Sequence, residues 1–116
     1  MTMLSVAMGG AIGAVLRYLV GLAVAFPLGT LTVNVIGSLI IGLIWHSFTT
    51  KGMHGWLPFV MTGVLGGFTT FSAFSLDTLR LVDDGRLAAA GGYVMASVLL
   101  SLAACFAGVW IAKGIA

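Results

Sequence analysis

The sequence predicts an all-α membrane protein, a single domain over residues 1–116 with four transmembrane helices. Of the 116 residues, 60% are hydrophobic and only 7% are charged, and the mean hydropathy is +1.19. Soluble domains carry about 25% charged residues, so this chain has too few charges to cover a surface that faces water. We therefore expect lipid to surround most of the chain, which excludes an ordinary soluble enzyme.

Long uncharged stretches set the number of helices. A membrane-spanning helix needs about 20 mostly apolar residues, and the uncharged block 18–50 is too long for one helix. Pro27 and Gly29 split this block where a helix is expected to end. Four helices are therefore predicted, at roughly 3–26, 30–50, 56–81 and 87–113. Residues 1–16 carry no basic residue ahead of a full-length span, so we expect no cleavable leader.

The distribution of basic residues does not determine the orientation of the chain in the membrane. Lys51 and Lys113 fall on the side of the termini, whereas Arg80 and Arg86 fall on the other side, with Arg17 in the first helix toward it. Orientation normally follows an excess of Lys and Arg in the cytoplasmic loops, and here that excess is close to zero. Two explanations stay open: a partner sets the orientation, or the chain inserts both ways and pairs with an inverted copy of itself.

Glycines at a spacing of four predict close contacts between helices. Gly9 and Gly13 form one such pair, and Gly63 and Gly67 form another, which lets helix backbones approach closely in lipid. Packing is the expected use of these pairs rather than ligand binding. The net charge of +2 is small and scattered, so we expect no nucleic-acid partner.

Two helices carry neutral polar residues at a spacing of four. The residues are Thr30, Asn34 and Ser38 in the second helix, and Tyr93, Ser97 and Ser101 in the fourth. Residues four apart share one helix face, and all six can donate a hydrogen bond. Polar groups in lipid are costly and usually face a bundle interior or a watery path. We call these two rows of residues the polar stripes. They predict either hydrogen bonds between helices or a polar track through the membrane.

The third helix contains the densest cluster of small and polar residues. Three glycines come before four hydroxyl side chains, namely Thr69, Thr70, Ser72 and Ser75. This composition disfavours a regular helix, so we predict a break near 66–72 in mid-membrane, where irregular backbone must be buried or line a cavity. A break frees carbonyl oxygens that suit sodium. Phe68, Phe71 and Phe74 recur at a spacing of three, and they either pack in the core or turn positive ring edges toward an anion.

Four pieces of the chain together carry a resemblance to a known family. They are Gly9-Gly-Ala-Ile-Gly-Ala-Val-Leu-Arg-Tyr18, Gly29-Thr-Leu-Thr-Val-Asn-Val-Ile-Gly-Ser38, Gly66-Gly-Phe-Thr-Thr-Phe-Ser-Ala-Phe-Ser75 and the stripe Tyr93, Ser97, Ser101. At these residues the chain resembles the small fluoride channels called Fluc or CrcB. The pieces reach all four helices in the family's order, which makes the combination specific.

The resemblance implies a fluoride-selective channel that exports cytoplasmic fluoride and so lowers its toxicity. It implies an antiparallel dual-topology homodimer with two pores, in the cell (inner) membrane. The residues that match pore and fluoride-binding positions are Asn34, Phe71, Phe74, Tyr93, Ser97, Ser101, Thr30 and Ser72. In the family each pore takes one phenylalanine ring from each subunit.

The resemblance also implies a structural sodium ion at the dimer centre. The backbone carbonyls of Gly66 and Thr69 match those that hold it from both subunits. Arg17 matches an arginine of the family, so it either attracts anions to a vestibule or extends to the membrane surface. Asp77 stands where an acidic residue is usual, and it either pairs with Arg80 three residues on or takes part in gating.

Two other functions remain as alternatives. A small dual-topology multidrug transporter has a similar size, but it needs a titratable carboxylate in the membrane, generally a glutamate in the first helix. This chain has no glutamate, and its first helix carries Arg17. A structural membrane subunit without transport leaves the polar stripes unexplained. No set of side chains in the spans supports an enzyme.

Overall fold

The computed structural model describes residues 2–115, and in them helices alternate with short connections. The elements are α1 (Thr2–Ala23), α2 (Leu28–Thr50), a 3-10 turn (His54–Trp56), a π-helix (Pro58–Leu65), α3 (Gly66–Phe68), α4 (Phe71–Asp83) and α5 (Leu87–Ile115). Four stretches are long and apolar enough to cross a membrane, namely Thr2–Ala23, Leu28–Thr50, His54–Asp83 and Leu87–Gly114. The four predicted spans are therefore confirmed. The end residues of the predicted domain, Met1 and Ala116, lie outside the described residues.

The first helix ends earlier than the sequence predicts. It was expected to reach residue 26, but α1 ends at Ala23. Pro27 precedes the first residue of α2 and disfavours helical geometry in the residue before it, so the connection needs a few non-helical residues. The second helix begins at Leu28, two residues before the predicted start at residue 30, so Gly29 lies inside α2. The other predicted ends lie within about two residues of the observed ones.

The third span is not one regular helix. Pro58–Leu65 has the wide turns of a π-helix, and the Gly66 N–H donates to the carbonyl oxygens of both Met61 and Gly63. After α3, Thr69 (φ −92°, ψ 157°) and Thr70 (φ −156°, ψ 125°) adopt extended geometry, and α4 then begins. The sequence predicts a regular helix from residue 56 up to the break near residue 66, so it does not predict these wide turns. Such turns often mark functional sites.

The glycines that the sequence predicts for close packing bring α1 against the third span. A Cβ atom on Gly9 would lie 2.5 Å from the Phe59 carbonyl oxygen, and one on Gly67 would lie 2.5 Å from the Gly10 carbonyl oxygen. Gly13 and Gly63 face the opposite backbone in the same way. Only glycine leaves room for this backbone contact, so the predicted packing role of both pairs is confirmed.

A second glycine contact joins α2 to α5, the helix pair with the most extensive contact in the fold. A Cβ atom on Gly42 would overlap the Cys105 carbonyl, and one on Gly108 would overlap the Leu39 carbonyl. The helices therefore form two tight pairs, α2 with α5 and α1 with the first half of the third span. The cavities described below lie where α4 meets these pairs.

Most large apolar side chains point outward. The side chains of Val33 and Leu81 are fully buried, whereas Trp110 is 79% exposed and Phe106 is 75% exposed. A water-soluble domain would bury side chains of this size, since large exposed apolar patches mark contacts with lipid or protein. The outward-facing apolar side chains agree with the low charge of the sequence, and both observations indicate that lipid surrounds the protein.

Candidate functional site

Asn34 pairs with the interrupted backbone of the third span. Its Nδ2 donates to the Thr70 carbonyl oxygen at 3.0 Å, and its Oδ1 accepts from the Thr70 N–H at 2.8 Å. The carboxamide thus satisfies both backbone groups of one residue, as a neighbouring β-strand would. Extended backbone between two helices leaves such groups without helical partners, and leaving them unpaired in an apolar environment is costly. Asn34 therefore fixes where the interruption lies.

The Thr70 side chain begins α4. Its Oγ1 accepts from the Ala73 N–H at 3.1 Å, which is the usual N-cap bond of a helix. The Ser72 hydroxyl lies 3.2 Å from the same Oγ1 and is otherwise exposed. Thr70 thus has its backbone fixed by α2 and its side chain fixed by α4, so it joins the two elements.

A groove of about 440 Å³ lies on one side of Thr70; we call it the serine groove. Its polar and backbone lining comes from Asn34, Gly37, Ser38, Gly66, Thr69, Thr70, Ser97 and Ser101. Its apolar lining includes Phe71 and Phe74 beside Ile41, Met61, Leu65, Val98 and Leu102. The groove therefore brings together most of the residues that the sequence predicts for a pore, and none of its lining residues is charged.

Ser97 is the most unusual polar group in the serine groove. Its side chain is 6% exposed, and its Oγ is a buried polar atom without a hydrogen-bond partner within the described part of the chain. Serine in a helix commonly bonds to a carbonyl in the preceding turn, as Ser75 does to Phe71 at 3.0 Å. A buried hydroxyl without a hydrogen-bond partner destabilises the fold unless a group in the groove accepts its hydrogen bond.

A second groove, of about 320 Å³, lies on the other side of Thr70; we call it the arginine groove. Its lining residues are Arg17, Tyr18, Gly21, Leu22, Gly29, Thr30, Val33, Thr70 and Ala73. Arg17 Nε donates to the Gly67 carbonyl oxygen at 3.1 Å, which fixes the guanidinium against the end of α3. Thr70 lines both grooves, so the two cavities meet at the residue that Asn34 holds.

The two phenylalanines of the serine groove differ in exposure. Phe71 is 77% exposed and Phe74 is 9% exposed, although their ring centroids are only 5.3 Å apart, with the planes tilted by 53°. The Phe74 ring is backed by Tyr93, with 5.4 Å between their centroids. Phe74 is therefore fixed within the chain, whereas most of the Phe71 ring has no neighbour among residues 2–115.

Asp77 and Tyr93 form a buried polar pair. The Tyr93 hydroxyl donates to Asp77 Oδ2 at 3.1 Å, and both side chains are buried. The pairing of Asp77 with Arg80 that the sequence favours does not form. The carboxylate turns toward α5, while the Arg80 guanidinium lies over the Phe26 ring, 4.0 Å from its centroid. Sequence spacing allows the ion pair, but it does not show that a tyrosine on another helix competes for the carboxylate.

The structure divides the predicted site residues into three groups. The serine groove holds Asn34, Phe71, Phe74, Ser97, Ser101, Gly66 and Thr69. The arginine groove holds Arg17 and Thr30. Tyr93 and Ser72 line neither groove; Tyr93 lies behind Phe74, and Ser72 lies beside the Thr70 side chain. Sequence reasoning did not include Ser38 or Thr70 among the site residues, although Ser38 extends the stripe of Asn34 by one turn.

Comparisons with known proteins show the family of the chain. Residues 4–109 match the family described as CrcB-like protein, Camphor Resistance (CrcB). The chain is 50% identical to a protein of Paracoccus denitrificans named fluoride-specific ion channel FluC, over 98% of this chain and 96% of that protein. It is 47% identical to a FluC of Roseobacter denitrificans over 98% and 97% of the two chains, respectively. The chain therefore belongs to the CrcB family and is a multi-pass membrane protein.

Replacing Asn34 with leucine is expected to destabilise the fold. The change leaves the Thr70 N–H and carbonyl without partners, and each such group costs about 1–3 kcal/mol. We expect a loss of about 2 kcal/mol or more, measured by unfolding of the detergent-solubilised protein, with faster hydrogen exchange at the Thr70 amide. Thr32→Val is the control on the same helix, because the Thr32 hydroxyl bonds only to the Leu28 carbonyl of its own helix. Equal stability of the two variants would contradict the role of Asn34.

Proposed function

We propose that the protein is a fluoride-selective ion channel that exports cytoplasmic fluoride and so lowers its toxicity. The observation that carries this proposal is the buried, unpaired Ser97 hydroxyl in a groove lined by neutral donors and aromatic rings. Carboxylates would repel fluoride, and neither groove has one among its lining residues in the described chain. The fluoride-specific names of the relatives support the same function.

We propose that fluoride enters through the arginine groove. The guanidinium of Arg17 attracts anions there, and the Thr30 hydroxyl is a first neutral donor. Because Thr70 and Asn34 separate the two grooves, the ion passes their polar groups next. Only one of the two Asn34 amide hydrogens is used by the Thr70 carbonyl, so the second can serve the ion.

The serine groove then supplies the donors that replace lost water. Ser97 and Ser101 offer hydroxyl groups, while Phe71 and Phe74 offer the weakly positive edges of their rings. Tyr93 contributes from outside the serine groove. Its ring supports Phe74, and its hydroxyl keeps the Asp77 carboxylate turned away from the groove. Ser72 lies beside Thr70 and supplies a hydroxyl near the junction.

We propose that two copies of the chain complete the pores as an antiparallel homodimer. The large exposure of Phe71 supports a partner surface beside the serine groove, and one ring from each subunit would then line each pore. The small difference in basic charge between the two ends of the chain supports insertion in both orientations.

The interruption at Thr69 and Thr70 would lie in mid-membrane in such a dimer, near a structural sodium ion. Within residues 2–115, the Gly66 and Thr69 carbonyl oxygens accept no hydrogen bond, since the Thr70 N–H goes to Asn34 and the Ala73 N–H goes to the Thr70 side chain. Free carbonyls of interrupted helices are suitable sodium ligands, so these residues fit the ion. Two carbonyls from each subunit would hold it, and its charge would add positive potential near both pores.

The transporter alternative has less support in this structure. Proton-coupled export needs a carboxylate that a substrate can reach, but Asp77 is buried against Tyr93 and lines neither groove. A structural subunit without transport does not explain why Ser97 is left unpaired. We place the channel in the inner membrane of the cell, where export of cytoplasmic fluoride requires it.

Dual topology predicts that each loop is labelled from both sides of the membrane. In a Cys105→Ala background, Met53→Cys and Asp84→Cys put one thiol at each end of the bundle without changing a basic residue. A membrane-impermeant maleimide should label about half of either variant in sealed inverted vesicles, because both orientations are present. Complete labelling of one variant with none of the other would contradict the antiparallel dimer.

Fluoride efflux from proteoliposomes tests the function and the phenylalanines together. The purified protein should release fluoride and retain chloride, whereas Phe71→Ile or Phe74→Ile should abolish the flux because the ring edges are lost. Phe106→Ile is the matched control, since Phe106 is exposed on α5 and lines neither groove. Proton-coupled export of a cationic dye without fluoride flux would favour the transporter, and full flux in the Phe71 variant would contradict the assignment of its ring.

A further inference from the structure

We propose that Arg80 steers anions into the arginine groove and that the Phe26 ring, rather than a carboxylate, holds it in position. The proposal rests on the fluoride channel function and adds a residue to it. The Arg80 guanidinium carbon lies 4.0 Å from the centroid of the Phe26 ring. The side chain of Arg80 is exposed, and it lies outside the signature over residues 66–75.

The contact with Phe26 holds Arg80 in place without an ion pair within residues 2–115. Asp77 on the same helix is buried and accepts from the Tyr93 hydroxyl, and the two exposed aspartates that follow, Asp83 and Asp84, form no ion pair with Arg80 in the described part of the chain. An aromatic face attracts a cation through the ring quadrupole without carrying net charge. A salt bridge would have cancelled most of the field of Arg80, whereas the ring orders the side chain without adding a negative charge. The two aspartates one turn away lower the total field, but they do not remove the part that Arg80 contributes.

The position of Phe26 places this cation at the outer end of the arginine groove. Phe26 lies in the connection between α1 and α2, and the groove is lined by Leu22 near the end of α1 and by Gly29 near the start of α2. Ala73 of α4 forms another wall, and Arg80 lies seven residues further along the same face of α4. At a rise of 1.5 Å per residue, Arg80 is about 10 Å from Ala73, in the direction of the connection.

Arg80 and Arg17 are therefore two cations at different depths along one route. Arg17 is fixed deeper, at the Gly67 carbonyl, and Arg80 is fixed near the end of the bundle. In water, one unit positive charge raises the concentration of a monovalent anion about 10 Å away roughly twofold. The effect grows in a cleft with low-dielectric walls and disappears when salt screens the field.

Arg80→Gln tests the proposal through the salt dependence of fluoride efflux. Flux through the parent protein in proteoliposomes first establishes the channel function, so a failure of that function is distinguished from a failure of the steering role. At subsaturating fluoride and an ionic strength of about 0.01 M, where the Debye length is about 30 Å, the variant should be slower by roughly twofold or more. In about 1 M of a salt whose ions do not permeate, where the Debye length is about 3 Å, the difference should vanish.

Two further variants separate steering from structure and from general surface charge. Arg80→Lys keeps the charge and should restore the parent flux at low salt. Arg86→Gln removes one positive charge from the connection that follows α4, without a contact to Phe26, and should change the flux less than Arg80→Gln does. The proposal is overturned if Arg80→Gln matches the parent at low salt, if its loss persists at high salt, or if Arg86→Gln causes an equal loss.

Discussion

The pairing between Asn34 and the backbone of Thr70 is the constraint on which the rest of the site depends. An interrupted helix surrounded by lipid and protein must find partners for its free backbone groups, because an amide–carbonyl bond is worth about 4–6 kcal/mol in an apolar medium. One carboxamide from α2 meets that need for Thr70 through two hydrogen bonds. The interruption can therefore exist at a fixed place, and α4 can begin immediately after it.

Three features of the site follow from this pairing. The Thr70 side chain is positioned to cap α4, so Phe71 and Phe74 start from a defined helix end. The carbonyls of Gly66 and Thr69 accept no hydrogen bond within residues 2–115. The serine groove and the arginine groove come together at Thr70. Asn34 therefore supports the serine groove as well as lining it, and its substitution would disturb both roles together.

The sequence predicts well what depends on local composition and spacing. The scarcity of charge predicts four spans, and glycines at a spacing of four predict close packing of helices, which the structure confirms at Gly9 and Gly67. Of the six residues in the two polar stripes, four line the serine groove, namely Asn34, Ser38, Ser97 and Ser101, whereas Thr30 lines the arginine groove and Tyr93 lines neither. These features need only the helix period and the cost of polar groups in lipid.

What the sequence misses depends on partners far along the chain. Asp77 was expected beside Arg80, but Tyr93, sixteen residues away on α5, takes the carboxylate, and Phe26 takes the guanidinium. The wide turns of Pro58–Leu65 lie where the backbone of α1 approaches at Phe59 and Val64, a constraint that the local sequence does not contain. The pairing of Asn34 with Thr70 spans 36 residues, so spacing could place Asn34 on a polar face but could not name its partner.

The central claim is that the structure leaves the Ser97 hydroxyl unpaired because the passing ion is its partner. The most direct measurement compares Ser97→Ala with the parent in two ways, fluoride efflux per folded protein and the midpoint of unfolding. We expect a stability equal to or above that of the parent, because a buried unpaired hydroxyl is removed, together with a clear loss of fluoride flux. Unchanged flux, or a loss of stability that accounts for the whole loss of flux, would contradict the claim.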